Sequence, residues 1–272
     1  MSSEIRAKTI LLTGATSGIG LACARALAAA GARLHLHGRD AGKLQKAAAE
    51  AAAAGAEVQT FVADLSSLEE TAALARSVAG AGRLDVLINN AGIGFGGNGK
   101  KRELSRDGHE LRFAVNYLAP FLLTEELLGR GLPKLAVINV ASAGQETLDF
   151  DDLMTEHGYS GVRAYCRSKL ALIMMTFDLA ALHQELQVHS LHPGTYLDTG
   201  MVREAGIAPL GPASQGVDSI LSVLTAALGG GTSGGYFDRT RPARALAQAY
   251  NTAARQKLRE ISLQIVAKWR SA

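Results

Sequence analysis

The chain alternates short apolar runs with longer stretches in which apolar residues recur at helical spacing. Such alternation is typical of repeated βαβ units around a parallel sheet. The runs that we predict to be strands are Thr9–Thr13, Leu34–His37, Val58–Ala63, Leu84–Asn89, Leu135–Ala141, Val188–His192 and Gly235–Phe237. Helices are predicted at Ile19–Ala30 and Ala41–Ala54, and near Gly108–Leu128, Gly161–Gln184, Ala213–Leu228 and Ala243–Lys268. We therefore expect an α/β protein with a seven-stranded parallel sheet.

Glycine and proline mark the boundaries of these elements. Gly31 and Gly55 follow the first two helices and predict left-handed caps. Composition does not shift anywhere along the 272 residues, so we expect a single domain, 1–272. The segment Thr195–Pro212 has no clear periodicity and contains two prolines, which predicts a mobile flap near residues 195–212.

Charge and polarity narrow the range of partners. Lys and Arg number 28 against 25 Asp and Glu, a net charge of +3, which is too small a surplus to indicate nucleic acid or an anionic membrane. The polar stretch Met1–Lys8 leads into an apolar run that ends at glycines. This pattern predicts neither a signal peptide nor a membrane span.

The cysteines and histidines give no sign of a metal site. Cys23 and Cys166 lie far apart and match no metal or redox spacing, which favours ordinary thiols in a reducing compartment. The seven histidines are scattered or alternate on a strand, as His35 and His37 do. We therefore expect a cytoplasmic protein without a bound metal.

The sequence TGATSGIG, residues 13–20, follows the first predicted strand and opens the first helix. Three glycines at this place allow a tight turn and close approach to a pyrophosphate, and the helix N-terminus offers N–H donors to the anion. The motif predicts a doubly wound Rossmann fold, with helices on both faces of the sheet, that binds a dinucleotide. The residues of this turn that we expect to contact the cofactor are Gly14, Thr16, Ser17, Gly18, Ile19 and Gly20.

The tip of the second strand bears on the choice of cofactor. An NAD site usually has an acidic residue there that binds the adenosine ribose. Gly38 fills that position, and the guanidinium of Arg39 suits a 2′-phosphate. NADP(H) is thus the preferred cofactor, and NAD(H) is the alternative if Asp40 binds the ribose instead of capping the next helix.

Asp64 follows the third strand, with Leu65 beside it. We expect both residues to contact the cofactor, with Asp64 accepting a hydrogen bond from the adenine amino group. The alternative is that Asp64 is a cap or turn residue.

Tyr165 and Lys169 are spaced i, i+4 and share one face of a predicted helix. A phenol has a pKa near 10 and is a poor acid or base at neutral pH, but a nearby ammonium favours its ionised form. We therefore expect Lys169 to lower the pKa of Tyr165. Tyr159 and Arg163 form a similar pair by chance, so this spacing needs independent support.

That support comes from motifs in one order along nearly the whole chain. TGATSGIG resembles TGxxxGIG of the classical short-chain dehydrogenase/reductase family, and NNAG at Asn89–Gly92 is identical to its motif after the fourth strand. INVASAG, YCRSK and HPGTYLDT resemble the family's later motifs. The resemblance implies that the catalytic residues are Asn116, Ser142, Tyr165 and Lys169.

The family resemblance also implies a role for each residue. Tyr165 exchanges a proton with the substrate oxygen, and Ser142 hydrogen-bonds the same oxygen. Lys169 binds the nicotinamide ribose, and Asn116 holds a water that connects Lys169 to solvent. The further cofactor contacts that it implies are Asn90, Ala91, Gly92, Tyr165, Lys169, Pro193, Gly194, Thr195 and Thr199. Ser17 departs from the basic residue that many NADP-preferring relatives carry.

The segment between Ser142 and Tyr165 is longer than in most classical members and resembles the retinol-dehydrogenase-like and WW-domain-oxidoreductase-like branch. The helix around GHELRFAVNYLAPFLLT does too. This implies a bulky apolar carbonyl or alcohol as the small-molecule substrate. The residues that we expect in the pocket walls, from their nearness to the motifs, are Phe95, Ala143, Gln145, Tyr159 and Tyr196.

The resemblance leaves three functions to compare. The first is an active NADP(H)-dependent carbonyl reductase or alcohol dehydrogenase, which the filled catalytic positions favour. The second is a catalytically idle NADP-sensing or scaffold protein, and the third is an epimerase or dehydratase. Family habit also implies a homodimer or homotetramer through the Asn116 and Tyr165 helices.

Overall fold

The computed structural model describes residues 3–96, 101–130, 132 and 136–270. Within them, eight strands form one sheet in the order β3-β2-β1-β4-β5-β6-β7-β8. The strands are β1 (Thr9–Leu12), β2 (Arg33–Gly38), β3 (Val58–Val62), β4 (Val86–Asn89), β5 (Ala136–Val140), β6 (Gln187–His192), β7 (Gly235–Asp238) and β8 (Arg241–Pro242). Leu135, the first residue of the predicted fifth strand, lies outside the described residues.

The prediction of seven strands is wrong by one. The first seven strands pair in parallel, but β8 pairs antiparallel to β7, with Phe237 opposite Pro242. Arg239 in the connecting turn has φ +57°. A two-residue strand carries no periodicity, and a proline is tolerated only at a sheet edge such as this one.

The helices are α1 (Gly18–Ala29), α2 (Ala41–Ala53), α3 (Leu68–Gly80), α4 (Leu111–Phe113), α5 (Ala119–Gly129), α6 (Gly161–Leu182), α7 (Gly200–Glu204), α8 (Ala213–Leu228) and α9 (Thr252–Val266). A π-helical turn, Ala114–Leu118, joins α4 to α5, and 3-10 turns cover Ala247–Tyr250 and Ala267–Trp269. Gly31 and Gly55 have φ +80° and +91°, which confirms the predicted left-handed caps.

The sequence prediction missed α3, although its start carries a capping signal. The Ser67 side chain accepts from the Glu70 amide at 3.2 Å, and Glu69 and Glu70 lie in the first turn. Acidic residues at a helix N-terminus are favourable because they oppose the helix dipole.

Alternate residues of each strand serve two separate cores. Leu12 and Ile88 pack with Leu27 of α1, Leu44 of α2 and Ile220 of α8. Leu11, Leu87 and Val137 belong to the other core, with residues of α3, α5, α6 and α9. The doubly wound arrangement, with helices on both faces, is therefore confirmed.

The order of the sheet reverses at β1, which has β2 on one side and β4 on the other. Ligands of open α/β sheets bind at such a reversal, beyond the carboxyl ends of the strands. The loops after β1, β4 and β5 converge there, and they carry most of the residues singled out by the motifs.

The C-terminal helix covers the outer side of the helices that carry Tyr117 and Phe121. The Tyr117 hydroxyl lies 2.7 Å from the Ser262 hydroxyl, and Arg259 donates to both carboxylate oxygens of Glu125, at 2.8 and 3.0 Å. A homodimer through this side of the molecule would require α9 to move.

The segment predicted to be a flap is partly ordered by local bonds. It contains α7, and a β-bridge joins Leu197 to Gly211. Tyr196 has φ +47° and its carbonyl accepts from the Leu210 amide at 2.8 Å. Across the described ranges of the chain, we find no helix with the length and apolar content needed to cross a bilayer.

Candidate active site

The glycine turn after β1 has the backbone that the motif requires. Gly14 and Gly18 have φ +69° and +51°, values that favour glycine. A Cβ on Gly14 would lie 2.8 Å from the Cα of Ala91, and one on Gly20 would collide with the Gly14 carbonyl oxygen. Close packing therefore excludes side chains at both positions.

Two residues that the sequence analysis did not single out hold this turn. Thr13 Oγ1 accepts from the amides of Asn90 and Ala91, both at 3.0 Å. His37 Nε2 lies 3.0 Å from the Ala63 carbonyl and must donate to it, which leaves Nδ1 to accept from the Gly14 amide at 3.4 Å. Burial lowers the pKa of His37, which favours this neutral form.

The rest of the turn faces the anion-binding end of α1. Within the described chain, Ser17 is extended and makes no side-chain cap hydrogen bond, so the first amides of the helix keep their donors for a ligand. Ile19 packs on Gly216 of α8, and Asn90 Nδ2 donates to the Thr13 carbonyl at 2.8 Å. The turn and the loop after β4 thus form one unit.

The end of β2 separates the candidate residues for the adenosine ribose. Asp40 Oδ1 accepts from the Lys43 amide at 2.9 Å and caps α2, as the sequence analysis favoured. Arg39 is exposed. A Cβ on Gly38 would lie 2.5 Å from Cγ2 of Thr16, so a side chain at position 38 would press on the glycine turn.

Asp64 makes the contacts of a turn residue. Its Oδ1 accepts from the Ser66 amide at 2.9 Å, and its Oδ2 lies 3.4 Å from Nη2 of Arg106. Partial burial acts to raise the pKa of Asp64, but the Ser66 hydrogen bonds and the charge of Arg106 hold it below its usual value. Leu65 is buried in the core, which leaves its backbone for a cofactor contact.

Ser142 and Tyr165 meet beyond the end of β5. Ser142 Oγ accepts from the Gly144 amide at 3.0 Å, and the Ser142 side chain acts to lower the pKa of the Tyr165 phenol. Burial raises the pKa of Tyr165 and outweighs the lowering effect of Ser142. The prediction that Lys169 lowers the pKa of Tyr165 is therefore wrong for this structure, in which that pKa is raised.

Lys169 is buried behind the tyrosine. Its Nζ donates to the Val140 carbonyl at 2.9 Å and lies 5.8 Å from the centre of the Tyr165 ring. Burial lowers the pKa of Lys169 to about 8. The ammonium that was expected to act on the phenol is thus itself easier to deprotonate.

Asn116 connects the loop after β4 to the catalytic helix. Its Oδ1 accepts from the Ile93 amide at 2.8 Å, and its Nδ2 donates to the Ile93 carbonyl at 3.1 Å and to Ser168 Oγ at 3.0 Å. Ser168 in turn donates to the Tyr165 carbonyl at 2.7 Å. A Cβ on Gly92 would lie 3.1 Å from Asn116 Oδ1 and 3.4 Å from Lys169 Nζ.

The segment after β6 closes the site from the other side. Ser219 donates to the Pro193 carbonyl at 3.0 Å, and Thr195 Oγ1 lies 3.1 Å from Nε2 of His192. Gly194 has φ +143°. Thr199 caps α7, and its methyl group would lie 3.1 Å from a Cβ on Gly18, so the flap packs directly on the glycine turn.

The residues expected in the pocket walls differ in role. The Phe95 ring stands edge-on to Tyr165, with centroids 6.0 Å apart, and Tyr196 and Ala143 are exposed. Gln145 is tied to the C-terminal segment, because its Oε1 accepts from the Leu246 amide at 2.7 Å. Tyr159 is bound to Glu110 and to Arg112.

A family model described as short chain dehydrogenase matches residues 8–208. Human retinol dehydrogenase 12 is 37% identical in a 201-residue alignment that covers 70% of this chain and 62% of that protein. Human retinol dehydrogenase 14 is 36% identical in a 209-residue alignment that covers 69% of this chain and 61% of that protein. The chain spans about three fifths of the length of these relatives.

Solved structures extend the similarity to the whole fold. A putative uncharacterized protein from Mycobacterium paratuberculosis superposes with a TM-score of 0.79 at 27% identity, covering 97% of this chain and 94% of that one. A metagenomic short-chain oxidoreductase in complex with NADP superposes with a TM-score of 0.66 at 28% identity, covering 89% of this chain and all, 100%, of that one.

Proposed function

Because the chain belongs to the short-chain dehydrogenase family, in its retinol-dehydrogenase-like branch, we propose that it is an NADP(H)-dependent oxidoreductase acting on a bulky apolar carbonyl or alcohol. Cofactor and substrate would share one domain, 1–272. The observation that carries the proposal is the grouping of three side chains: Lys169 Nζ lies 5.8 Å from the centre of the Tyr165 ring, and Ser142 Oγ and the Tyr165 ring both lie beside Gly144.

The residues around the turn suit a dinucleotide. Gly14 and Gly18 have the positive φ that brings the backbone close to a pyrophosphate, and the first turn of α1 directs N–H donors toward it. A Cβ on Gly92 would press on Asn116 Oδ1, so glycine lets the loop after β4 lie close to Asn116 and Lys169. A nicotinamide cofactor bound at this site would supply or accept the hydride.

Tyr165 would act on the substrate oxygen. In reduction its hydroxyl donates a proton to the carbonyl oxygen, while the Ser142 hydroxyl donates a hydrogen bond to the same atom. In oxidation, Tyr165 would instead accept the proton from the substrate hydroxyl. Both groups lie in the cleft beyond β5, and burial there strengthens their hydrogen bonds.

Lys169 would restore the proton that Tyr165 gives up and would bind the nicotinamide ribose. A pKa of about 8 lets the Lys169 amine exchange protons near neutral pH. Asn116 keeps the loop after β4 in place with hydrogen bonds to both the amide and the carbonyl of Ile93. As part of this proposal, Asn116 would also hold a water that connects Lys169 to solvent.

The preference for NADP(H) rests on the end of β2. Arg39 is exposed there. The position before it is Gly38 instead of an acidic residue, and a side chain at position 38 would press on Thr16. A guanidinium suits the 2′-phosphate. The structural relative with bound NADP supports the same preference.

The proposal is tested first by cofactor binding. Purified protein is titrated with NADPH and NADH by fluorescence, for the wild type, Arg39→Ala and Arg33→Ala. Arg33 is an exposed arginine at the other end of β2 and serves as the matched control. We expect Arg39→Ala to lose about tenfold or more in NADPH affinity, with NADH binding unchanged and Arg33→Ala unaffected.

Turnover is then followed by nicotinamide absorbance with aldehydes, ketones and alcohols of increasing apolar size. Reduction of bulky apolar carbonyls with NADPH supports the proposed activity. Tight NADPH binding without turnover on any of them would favour the catalytically idle NADP sensor, and no binding of either nucleotide would contradict the proposal.

A further inference from the structure

A buried arginine outside the catalytic set lies one helical turn before Asn116. The side chain of Arg112 is only 3% exposed. Arginines are rarely buried unless their donors are paired, because an unpaired buried charge is costly. The partners of Arg112 therefore indicate what its burial accomplishes.

The guanidinium joins three different segments. Its Nε donates to the Gly94 carbonyl at 3.2 Å, its Nη1 donates to the Tyr159 hydroxyl at 3.0 Å, and its Nη2 donates to Glu103 at 2.8 Å. The Tyr159 hydroxyl donates in turn to Glu110 Oε1 at 3.1 Å. We call Arg112, Glu110 and Tyr159 the Arg112 clamp.

Glu110 completes the clamp and fixes it to the helix. Its Oε1 also lies 3.4 Å from Nη1 of Arg112, and its Oε2 accepts from the Phe113 amide at 2.8 Å, which caps α4. The Glu110 side chain is 1% exposed. A buried carboxylate, a buried guanidinium and a half-buried phenol are thus mutually satisfied, which restricts each of them to one position.

Each clamped segment leads directly to the catalytic site. Gly94 precedes Phe95, whose ring stands edge-on to Tyr165 with centroids 6.0 Å apart and an interplanar angle of 84°. Tyr159 precedes Ser160, the N-cap of the helix that carries Tyr165. The clamp therefore links the strand-end loop that carries Phe95 to the start of the catalytic helix.

The loop that carries Phe95 is held on two sides. Asn116 binds the amide and the carbonyl of Ile93, and Arg112 binds the carbonyl of the next residue. A Cβ on Gly96 would lie 2.7 Å from Nη2 of Arg112, and one on Gly94 would lie 2.6 Å from Cγ of Met201 in α7. Arg112 and the flap thus pack closely against the loop that carries Phe95.

We propose that the Arg112 clamp positions the Phe95 ring beside Tyr165 and thereby sets the shape of the substrate cleft for bulky apolar groups. Phe95 contacts the substrate, and Arg112 acts through Phe95 as a positioning residue. This inference rests on the proposed function, since it takes Tyr165 to be the residue that meets the substrate oxygen. A flat apolar group packs on the Phe95 ring, whereas a small aldehyde reaches Tyr165 without that contact.

A purely structural ion pair would have different consequences. If the clamp were only structural, its removal would lower the stability of the variant but would not affect large and small substrates differently. Steady-state kinetics with 2-naphthaldehyde and propanal, both with NADPH, distinguish the two roles. The variants are Phe95→Ala, Arg112→Met, their double variant and Tyr159→Phe. Arg102→Met is the control, because Arg102 forms a neighbouring ion pair with Glu156 and donates to the Met154 carbonyl.

We expect Phe95→Ala to raise KM for 2-naphthaldehyde about tenfold, with kcat little changed and propanal kinetics within about twofold of wild type. Arg112→Met should do the same, and should add nothing in the Phe95→Ala background. Tyr159→Phe should give a smaller rise in the same parameter, and it serves as the milder variant if Arg112→Met folds poorly. Effects that add, or equal losses on both aldehydes, would overturn the proposal.

Binding of 2-naphthylmethanol, followed by its own fluorescence, is measured on the same proteins. A wild type that binds this alcohol, loses affinity through Phe95→Ala and Arg112→Met without additivity, and reduces neither aldehyde would contradict the proposed function and support the clamp. A wild type that reduces both aldehydes and shows no coupling between positions 95 and 112 would contradict the clamp alone. A wild type that neither binds the alcohol nor reduces the larger aldehyde would contradict both.

Discussion

The Nζ of Lys169 lies 5.8 Å from the centre of the Tyr165 ring and gives a hydrogen bond to the Val140 carbonyl. Burial lowers the pKa of Lys169 to about 8, and it raises the pKa of Tyr165. Both groups are thus shifted toward their neutral forms. An anionic cofactor beside Lys169 would favour the ammonium and reverse the shift of the Lys169 pKa alone.

We therefore predict that NADPH binding raises the pKa of Lys169 and takes up a proton. A group whose pKa rises on binding contributes its full affinity below the free pKa and loses it as the pH rises through the bound pKa. NADPH affinity should be flat below pH 8 and then fall by up to about tenfold per unit. Fluorescence titrations between about pH 6.5 and about pH 10 measure this fall in affinity.

Lys169→Met is the control for that profile. It should bind NADPH more weakly below pH 8 and show no fall above it, because no group titrates at that position. Calorimetry at about pH 8.5 in two buffers of different ionisation enthalpy counts the protons taken up. Parallel pH profiles for the wild type and Lys169→Met would assign the titration to another group.

Removal of the Tyr165 hydroxyl should separate chemistry from binding. We expect Tyr165→Phe to lower kcat by roughly 10²–10⁴ and to leave the NADPH dissociation constant within about twofold, because the phenol acts on the substrate. Ser142→Ala should lower kcat by about 10²–10³. Stopped-flow single turnovers measure the chemical step directly.

Tyr117→Phe is the matched tyrosine variant. The Tyr117 hydroxyl bonds only to Ser262 of α9 in the described structure, so we expect about 1 kcal/mol less stability and an unchanged kcat. Full activity of Tyr165→Phe would remove the acid–base role from this residue.

Local patterns were sufficient to predict much of the fold. The strand predicted at Thr9–Thr13 is Thr9–Leu12 in the structure, and Ala213–Leu228 forms a helix with the predicted bounds. Gly31 and Gly55 end their helices because a positive φ suits glycine. These features depend only on residues close in the sequence.

The supports of the site depend on residues distant in the sequence. Thr13 accepts from amides 77 and 78 positions away, and no local pattern predicts that contact. The sequence analysis gave Arg112 no role because arginine is normally exposed. Only the folded chain brings Gly94 and Tyr159 into contact with it. The motifs thus predict the reacting groups but not the residues that position them.

The C-terminal helix should make a large contribution to stability. Leu258 is buried, so Leu258→Ala should lower the free energy of unfolding by about 2–5 kcal/mol. Arg259→Ala should cost about 1–3 kcal/mol, because Glu125 loses two hydrogen bonds from Arg259 and keeps the ion pair with Arg270 at 3.8 Å. Denaturant unfolding measures both, with the exposed Glu260→Ala as the control.

The same helix bears on oligomeric state. Since α9 covers the helices that family resemblance assigns to a dimer, we expect light scattering to give the mass of one chain. A stable dimer that persists at low concentration would contradict this, and Leu258→Ala would then test whether the dimer competes with α9.

The last prediction concerns the contact between Gly38 and Thr16. A Cβ on Gly38 would lie 2.5 Å from the Thr16 methyl group, so Gly38→Asp must displace the glycine turn. We expect Gly38→Asp alone to lower the affinity for both NADPH and NADH. With Thr16→Ser, which removes the methyl group, the new carboxylate can accept from the ribose hydroxyls and repel a 2′-phosphate. The double variant should then favour NADH by about tenfold or more.

Thr16→Ser alone is the control, and it should bind NADPH with nearly wild-type affinity because the hydroxyl is kept. Fluorescence titration of both nucleotides against the four proteins gives the coupling between the two positions. If Gly38→Asp alone gains NADH affinity as strongly as the double variant, the turn adjusts freely and Thr16 does not restrict position 38. If the double variant still prefers NADPH, the charge of Arg39 outweighs a carboxylate at this strand end, and Arg39 becomes the residue to change next.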